Sequence, residues 1–162
     1  MFAQHTLESA PAASRPLMES IPGPLPPVVG RLAESPEMLG GFLHASHLFE
    51  ASTLDPLARE VVVMTIAARN DCGICLAMHT GRLRKLGAGS ELITALREQR
   101  ALADPRLEAL RAFTLEVLAT AGDTPVDDFL AAGYTRRNAL EVVLGIGTYT
   151  MSTLANRMVG AR

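Results

Sequence analysis

From residue 36 onward, apolar residues recur at three- and four-residue intervals, and no stretch alternates as a half-buried strand would. Ser35-Pro36 opens a helix, with an N-cap serine and a proline at the first helical position. Met38, Leu39, Phe42, Leu43 and Leu48 form its apolar set. Asp55-Pro56 opens a second helix by the same chemistry, carrying Leu57, Val61, Met64, Ile66 and Ala67 as far as about Arg69. Asn70-Asp71 reads as a turn, so a third helix starts near Cys72 and stops at Leu86-Gly87, where glycine fits a left-handed terminus. Ser90 is expected to cap a fourth helix bearing Leu92, Ile93 and Leu96, and Asp104-Pro105 opens a fifth that closes at Gly122. A short sixth spans residues 126–132 and ends at Gly133, and Thr135 caps the last, residues 136–159. The pattern predicts an all-α domain built around a central helical hairpin.

Two segments depart from ordinary amphipathicity. The last helix is apolar almost all round, with Leu140, Val142, Val143, Leu144, Ile146, Met151, Leu154 and Met158. Such a helix belongs in a core or against another subunit, and Gly145 and Gly147 suit close approach of a second backbone. Residues 1–30 hold six of the ten prolines, including Ile21-Pro-Gly-Pro-Leu-Pro-Pro27. They read as an extended, non-helical arm ahead of a helical domain over residues 31–162. Gly40-Gly41 inside the first long helix marks close packing or a kink.

Composition sharpens this. The chain has 162 residues, enough for one domain with a real core. It is 48% apolar, with 4% aromatics and no tryptophan, so Ala, Leu, Val and Met fill the interior and the methionines read as core filler. Apolar surface beyond what one chain can bury points to a homo-oligomer. The net charge is −2, and the one basic run, Arg82-Leu-Arg84-Lys85, falls in the last turn of a helix, where cations suit the dipole. No nucleic-acid partner is indicated. No stretch reaches the roughly 18 apolar residues of a membrane span, and the N-terminus lacks a secretory pattern. The expectation is a cytoplasmic protein in which a cysteine pair is redox-active or metal-binding rather than a structural staple.

That pair is Cys72-Gly-Ile-Cys75, followed four residues later by His79 and preceded by Glu60, twelve residues before the first cysteine. Glu60 lies ten residues before the turn at Asn70 and His79 nine after it. At ~1.5 Å per residue the two reach nearly the same height on an antiparallel hairpin. Cys75 and His79 share one helix face, and Cys72 lies one turn nearer the helix start. Two thiols so spaced can close a disulfide across one turn. A helix N-terminus favours the thiolate, the nucleophilic form. His79 can take the Cys75 proton, directly or through a water, with Glu60 orienting the imidazole. Attack on a peroxide then gives a sulfenic acid, which the second cysteine condenses to a disulfide.

Glu, eleven residues, Cys-x-x-Cys, three residues and His, inside an all-helical chain, resembles the alkylhydroperoxidase D-like branch of the carboxymuconolactone decarboxylase family. The flanking segments agree, Phe49 through Leu54-Asp-Pro-Leu-Ala-Arg-Glu60 and His79-Thr-Gly-Arg-Leu-Arg-Lys-Leu-Gly87. The resemblance is tight over about residues 36–90. It implies a helical trimer or hexamer without a bound cofactor. It also implies a thiol peroxidase in which Cys75 attacks, Cys72 resolves, and Glu60 and His79 relay protons. An external dithiol or lipoyl-type reductant would reset the pair. The founding members carry a histidine between the cysteines where this chain has Ile74, and members of the decarboxylase branch generally lack the cysteine pair.

Other readings stand beside this one. The assembly can be a non-catalytic redox sensor or structural oligomer, or can act on a small lactone as the decarboxylases do. A zinc site would draw on Cys72, Cys75 and His79 with His44 or His47, but structural zinc favours two separated ligand pairs in knuckle geometry, so no metal is expected.

Overall fold

Three of the four long helices begin where an aspartate or serine meets a proline, and the caps form as the local chemistry requires. In the computed structural model, which describes residues 2–161, Ser35 accepts from the Met38 N–H and Asp55 from the Ala58 N–H. Asp104 accepts from the N–H groups of Arg106 and Leu107. These caps start α3 (Pro36–Glu50), α4 (Pro56–Arg69) and α7 (Pro105–Thr120). Thr135 and Asn138 make a reciprocal capping box at the head of α9 (Arg136–Met158). Between them lie α5 (Gly73–Lys85), α6 (Ser90–Arg97) and α8 (Asp127–Ala131). Ser90 does not cap α6: Gly89 holds that position and no side chain bonds there. Among the described residues the fold is helical, with no strand.

α4 is the spine. It packs against α5, α6, α7 and α9, and Val61, Val62, Val63, Met64 and Ile66 are all but completely removed from solvent. A helix surrounded in this way is apolar over most of its surface, and its buried polar residues are Glu60 and Thr65.

The N-terminal segment corrects the expectation of an extended arm. It forms a 3-10 turn (Ala12–Ser14), α1 (Arg15–Glu19) and α2 (Pro27–Leu32). The reason lies in where the prolines fall. Pro16 and Pro27 occupy first-turn positions of α1 and α2, where the missing N–H costs nothing and the fixed φ favours helix. Ala10, Met18, Val28, Val29, Leu32 and Ala33 form a second small core with Leu39 of α3 and Ala161. The Ser14 hydroxyl donates to the Ala33 carbonyl at 2.7 Å and the His5 N–H to the Gly30 carbonyl at 3.0 Å. Gly40 provides the expected close packing, since a Cβ there would stand 3.3 Å from Leu17.

α9 is turned the other way from a simple core helix. Its inward face is largely polar or small: Asn138, Glu141, Gly145, Thr148, Tyr149, Ser152, Thr153 and Asn156 are buried. Leu140, Val143, Leu154 and Met158 face out, with Leu140 and Met158 each 73% exposed. Gly145 receives the ring of Phe49 rather than a backbone, and Gly147 faces open space. Methionines likewise divide: Met64 is core, whereas Met78 and Met158 are exposed.

Candidate active site

The α4–α5 hairpin closes because Asp71 takes a left-handed conformation, φ 49°, which aspartate tolerates better than most residues. The Cys72 N–H returns to the Ala67 carbonyl at 2.9 Å. α9 fastens this turn from outside. Arg157 donates to the carbonyls of Asn70 and Asp71 at 2.7 and 2.8 Å, and the Asn70 amide donates to the Thr153 hydroxyl at 2.7 Å. Cys72 therefore sits at the N-cap of α5 and Cys75 in its first turn, where unpaired amides favour negative charge on sulfur.

The two sulfurs are joined in a disulfide across 5.3 Å between Cα atoms. Both cysteines are buried, Cys72 at 1% and Cys75 at 7% exposure. One turn on, His79 Nδ1 lies 2.7 Å from Glu60 Oε2. With the carboxylate accepting, Nδ1 carries the proton and Nε2 is left free as a base. Both partners are buried. The hairpin thus brings Glu60 level with His79, as the spacing about Asn70 predicts, and all four sequence-derived residues share one seam.

Arg82, one turn further along α5, stands 3.5 Å from Glu60 Oε1 and donates to Glu50 Oε1 at 2.7 Å. Burial opposes its charge, but Glu60 and Glu50 more than restore it, so its pKa lies above the ordinary value. Tyr149 of α9 sets its ring edge-on to His79, 5.6 Å between centroids, and packs likewise on Phe42 and Phe49. Burial pushes its phenol up, against the bond to Ser46. Asn156, also on α9, donates from Nδ2 to Cys75 Sγ at 3.3 Å.

A narrow cavity of about 90 Å³ opens on this seam. Cys75, His79, Tyr149, Ser152 and Asn156 line it, together with apolar residues of the N-terminal segment and α3, among them Pro26, Val28, Val29, Leu32, Phe42 and Leu43. The N-terminal segment is therefore a wall of the site, which no motif in it foretold. Cys72 is not among the lining residues. Two larger hollows, one at Asp71, Gly73, Arg157 and Ala161 and one rimmed by Glu108, Glu116 and Asp128, touch neither Cys75 nor His79.

Ile74 packs against both the N-terminal core and the cysteine cluster, a position that suits an apolar side chain. Arg82, Tyr149 and Asn156 escaped the sequence reading. In the sequence Arg82 reads only as a dipole partner, and the other two lie more than 70 residues from the cysteines. Among the described residues no three His, Cys, Asp or Glu side chains are grouped to hold a metal ion, and no helix is long and apolar enough to cross a membrane.

The chain is similar over 99% of its length to a solved structure from Ralstonia eutropha, described as an alkylhydroperoxidase AhpD core and an uncharacterized peroxidase-related protein. The two are 20% identical with a TM-score of 0.86, and 90% of that chain is covered. A second likeness is to an Agrobacterium tumefaciens protein of unknown function, for which an AhpD antioxidant defence role has been suggested. There identity is 17% and the TM-score 0.68, over 80% of this chain and 92% of that one. Comparison with curated proteins gave no match. The profile of the carboxymuconolactone decarboxylase family matches residues 34–116, about half the chain, a span that takes in α3, α4 and α5 and with them Glu60, Cys72, Cys75 and His79. With that match the chain belongs to the carboxymuconolactone decarboxylase family, and it has the fold of the family's alkylhydroperoxidase D-like structures.

Proposed function

We propose that this protein is a thiol-dependent hydroperoxidase in which Cys75 attacks and Cys72 resolves. The observation that carries the reading is a buried His79, held by Glu60, that opens together with Cys75 but not Cys72 on one apolar cavity. A thiol beside a base oriented by a carboxylate is the arrangement of an activated nucleophile. The family match and the peroxidase-related and antioxidant-defence descriptions of the structural neighbours support the same chemistry.

In the reduced protein, His79 Nε2 takes the Cys75 proton, and Glu60 offsets the charge the ring gains. The thiolate attacks the terminal peroxide oxygen. The S–O bond forms as the O–O bond breaks, sulfur loses two electrons, and the leaving alkoxide takes the proton from His79. Cys72 then displaces hydroxide from the sulfenic acid, giving the observed disulfide and water. An external dithiol or lipoyl-type donor restores both thiols, entering at Cys75, the sulfur that reaches the cavity. The outward apolar stripe of α9, Leu140, Val143, Leu154 and Met158, supports assembly as a homo-trimer or homo-hexamer. Recycling by thiols suits a reducing, cytoplasmic setting.

Cysteine variants test the reading. Cys75→Ser abolishes peroxide consumption, whereas Cys72→Ser consumes about one equivalent per chain and stalls. Turnover at the wild-type rate by Cys75→Ser contradicts the roles. Oxidation of both thiols without turnover favours a redox sensor, and lactone decarboxylation that survives loss of both cysteines favours the decarboxylase-like alternative.

A further inference from the structure

We infer that Asn156 is a catalytic residue of this site: its amide holds Cys75 as a thiolate and presents an acceptor to the O–H of the bound hydroperoxide. The inference rests on the peroxidase reading above. It starts from two facts about one side chain. Asn156 Nδ2 donates to Cys75 Sγ at 3.3 Å, and among the described residues no other side chain donates to that sulfur. Asn156 Oδ1 is buried and has no partner among the described residues. A buried amide oxygen without a donor is unusual in a native protein, and this one belongs to a residue lining the cavity that Cys75 and His79 share.

The donor half follows from charge. An N–H bond to a disulfide or thiol sulfur is weak, and the same bond to a thiolate is charge-assisted. Asn156 therefore favours ionised over neutral Cys75. The groups facing this sulfur are few. α5 contributes its N-terminal amides and His79, with Glu60 of α4 behind the ring and Arg82 beyond it. α9 contributes Tyr149 and Asn156, and Arg157 pairs with Asp71 at the α5 turn. The lining residues from the N-terminal segment and α3 carry no titratable group, so the polar contacts available to this sulfur come from α5 and α9, and the Asn156 amide is the one that already donates to it.

The acceptor half follows from the substrate. A hydroperoxide brings one O–H donor, on the oxygen that sulfur attacks. Oδ1 is closed to solvent; as the substrate enters and the Asn156 amide turns to meet it, Oδ1 accepts from this O–H and holds that oxygen beside Sγ, with the organic remainder against Val28, Val29, Leu32 and Phe42. As S–O forms and O–O breaks, this hydrogen stays on the transferred oxygen, yielding the sulfenic acid. The leaving alkoxide takes its proton from His79.

The test uses the Cys72→Ser protein, whose one thiol is Cys75, alone and with Asn156→Ala or Asn156→Asp. The pH dependence of alkylation by iodoacetamide reads the thiol without any peroxidase step, so it stands even if turnover fails. The midpoint rises by about one pH unit in Asn156→Ala and further in Asn156→Asp, which places a carboxylate at the sulfur. Above both midpoints, stopped-flow oxidation by cumene hydroperoxide is about tenfold slower in Asn156→Ala, for want of the acceptor. An unchanged midpoint in Asn156→Ala overturns the donor role. Equal rates of the fully ionised thiolates overturn the acceptor role. Should Asn156→Ala not fold, Asn156→Asp carries the alkylation test, and an unshifted midpoint there is equally decisive.

Discussion

Replacing Glu60 by glutamine keeps the shape of the α4 side chain and removes only its charge. In the native site the His79 Nδ1–H meets a carboxylate at 2.7 Å, with both side chains under a tenth exposed. A hydrogen bond to a charged partner contributes about 1.5–3 kcal/mol. The carboxylate matters most when His79 gains the Cys75 proton and becomes cationic, so that energy falls on proton removal. At ~1.4 kcal/mol per tenfold in rate, Glu60→Gln slows disulfide formation by about ten- to a hundredfold at pH 7. Arg82, 3.5 Å away, already draws on the same carboxylate, which keeps the loss toward the lower end. The assay is single-turnover oxidation of the reduced protein by an organic hydroperoxide, followed by thiol titration, from pH 6 to 10. The defect must shrink toward the alkaline end of this range, because hydroxide then does the work of His79. A full rate at pH 7, or a loss equally large at every pH, would refute the relay.

Gly145→Ala places a Cβ 2.6 Å from the buried Phe49 ring. Overpacking of this kind costs about 1–3 kcal/mol, and thermal melting should register it as a fall of about 2–4 °C per kcal/mol for a chain of this size. Glu141 accepts from Thr53, Asn138 and Arg137 at 2.8–3.0 Å. Burial opposes its charge, but these bonds hold its carboxyl below the ordinary 4.5. Its stabilisation is complete above that value and is lost as pH falls through the lowered folded value. Glu141→Gln is therefore destabilised by roughly 2 kcal/mol at neutral pH and converges on wild type at low pH in urea titrations; a pH-independent difference would contradict this. Leu154→Glu puts a charge in the outward stripe of α9, and light scattering should show an assembly of the 17.3 kDa chain reduced to protomers, whereas an unchanged mass argues for another interface.

Much of this architecture could be read locally. Ser35-Pro36, Asp55-Pro56, Asp104-Pro105 and Thr135 announce helix starts because a cap needs only its own side chain and the next three residues, and each forms. Glu60 meets His79 because hairpin geometry follows from counting residues about one turn. What escaped depends on three-dimensional neighbours. Prolines count as breakers in a composition, yet Pro16 and Pro27 begin helices because of their position in the first turn. The apolar content of α9 does not say which face turns inward, and Glu141, Asn138 and Thr153 are buried there because each meets a polar partner on another element. Asn156 reaches Cys75 across 81 positions, a distance no motif spans.

The central claim is that Cys72 and Cys75 cycle as a pair against peroxide. Free thiols are counted under denaturing conditions in the fully reduced protein, before and after one equivalent of an organic hydroperoxide per chain. Two thiols per chain are expected to be lost, and a dithiol to restore them. Retention of both thiols would contradict the claim.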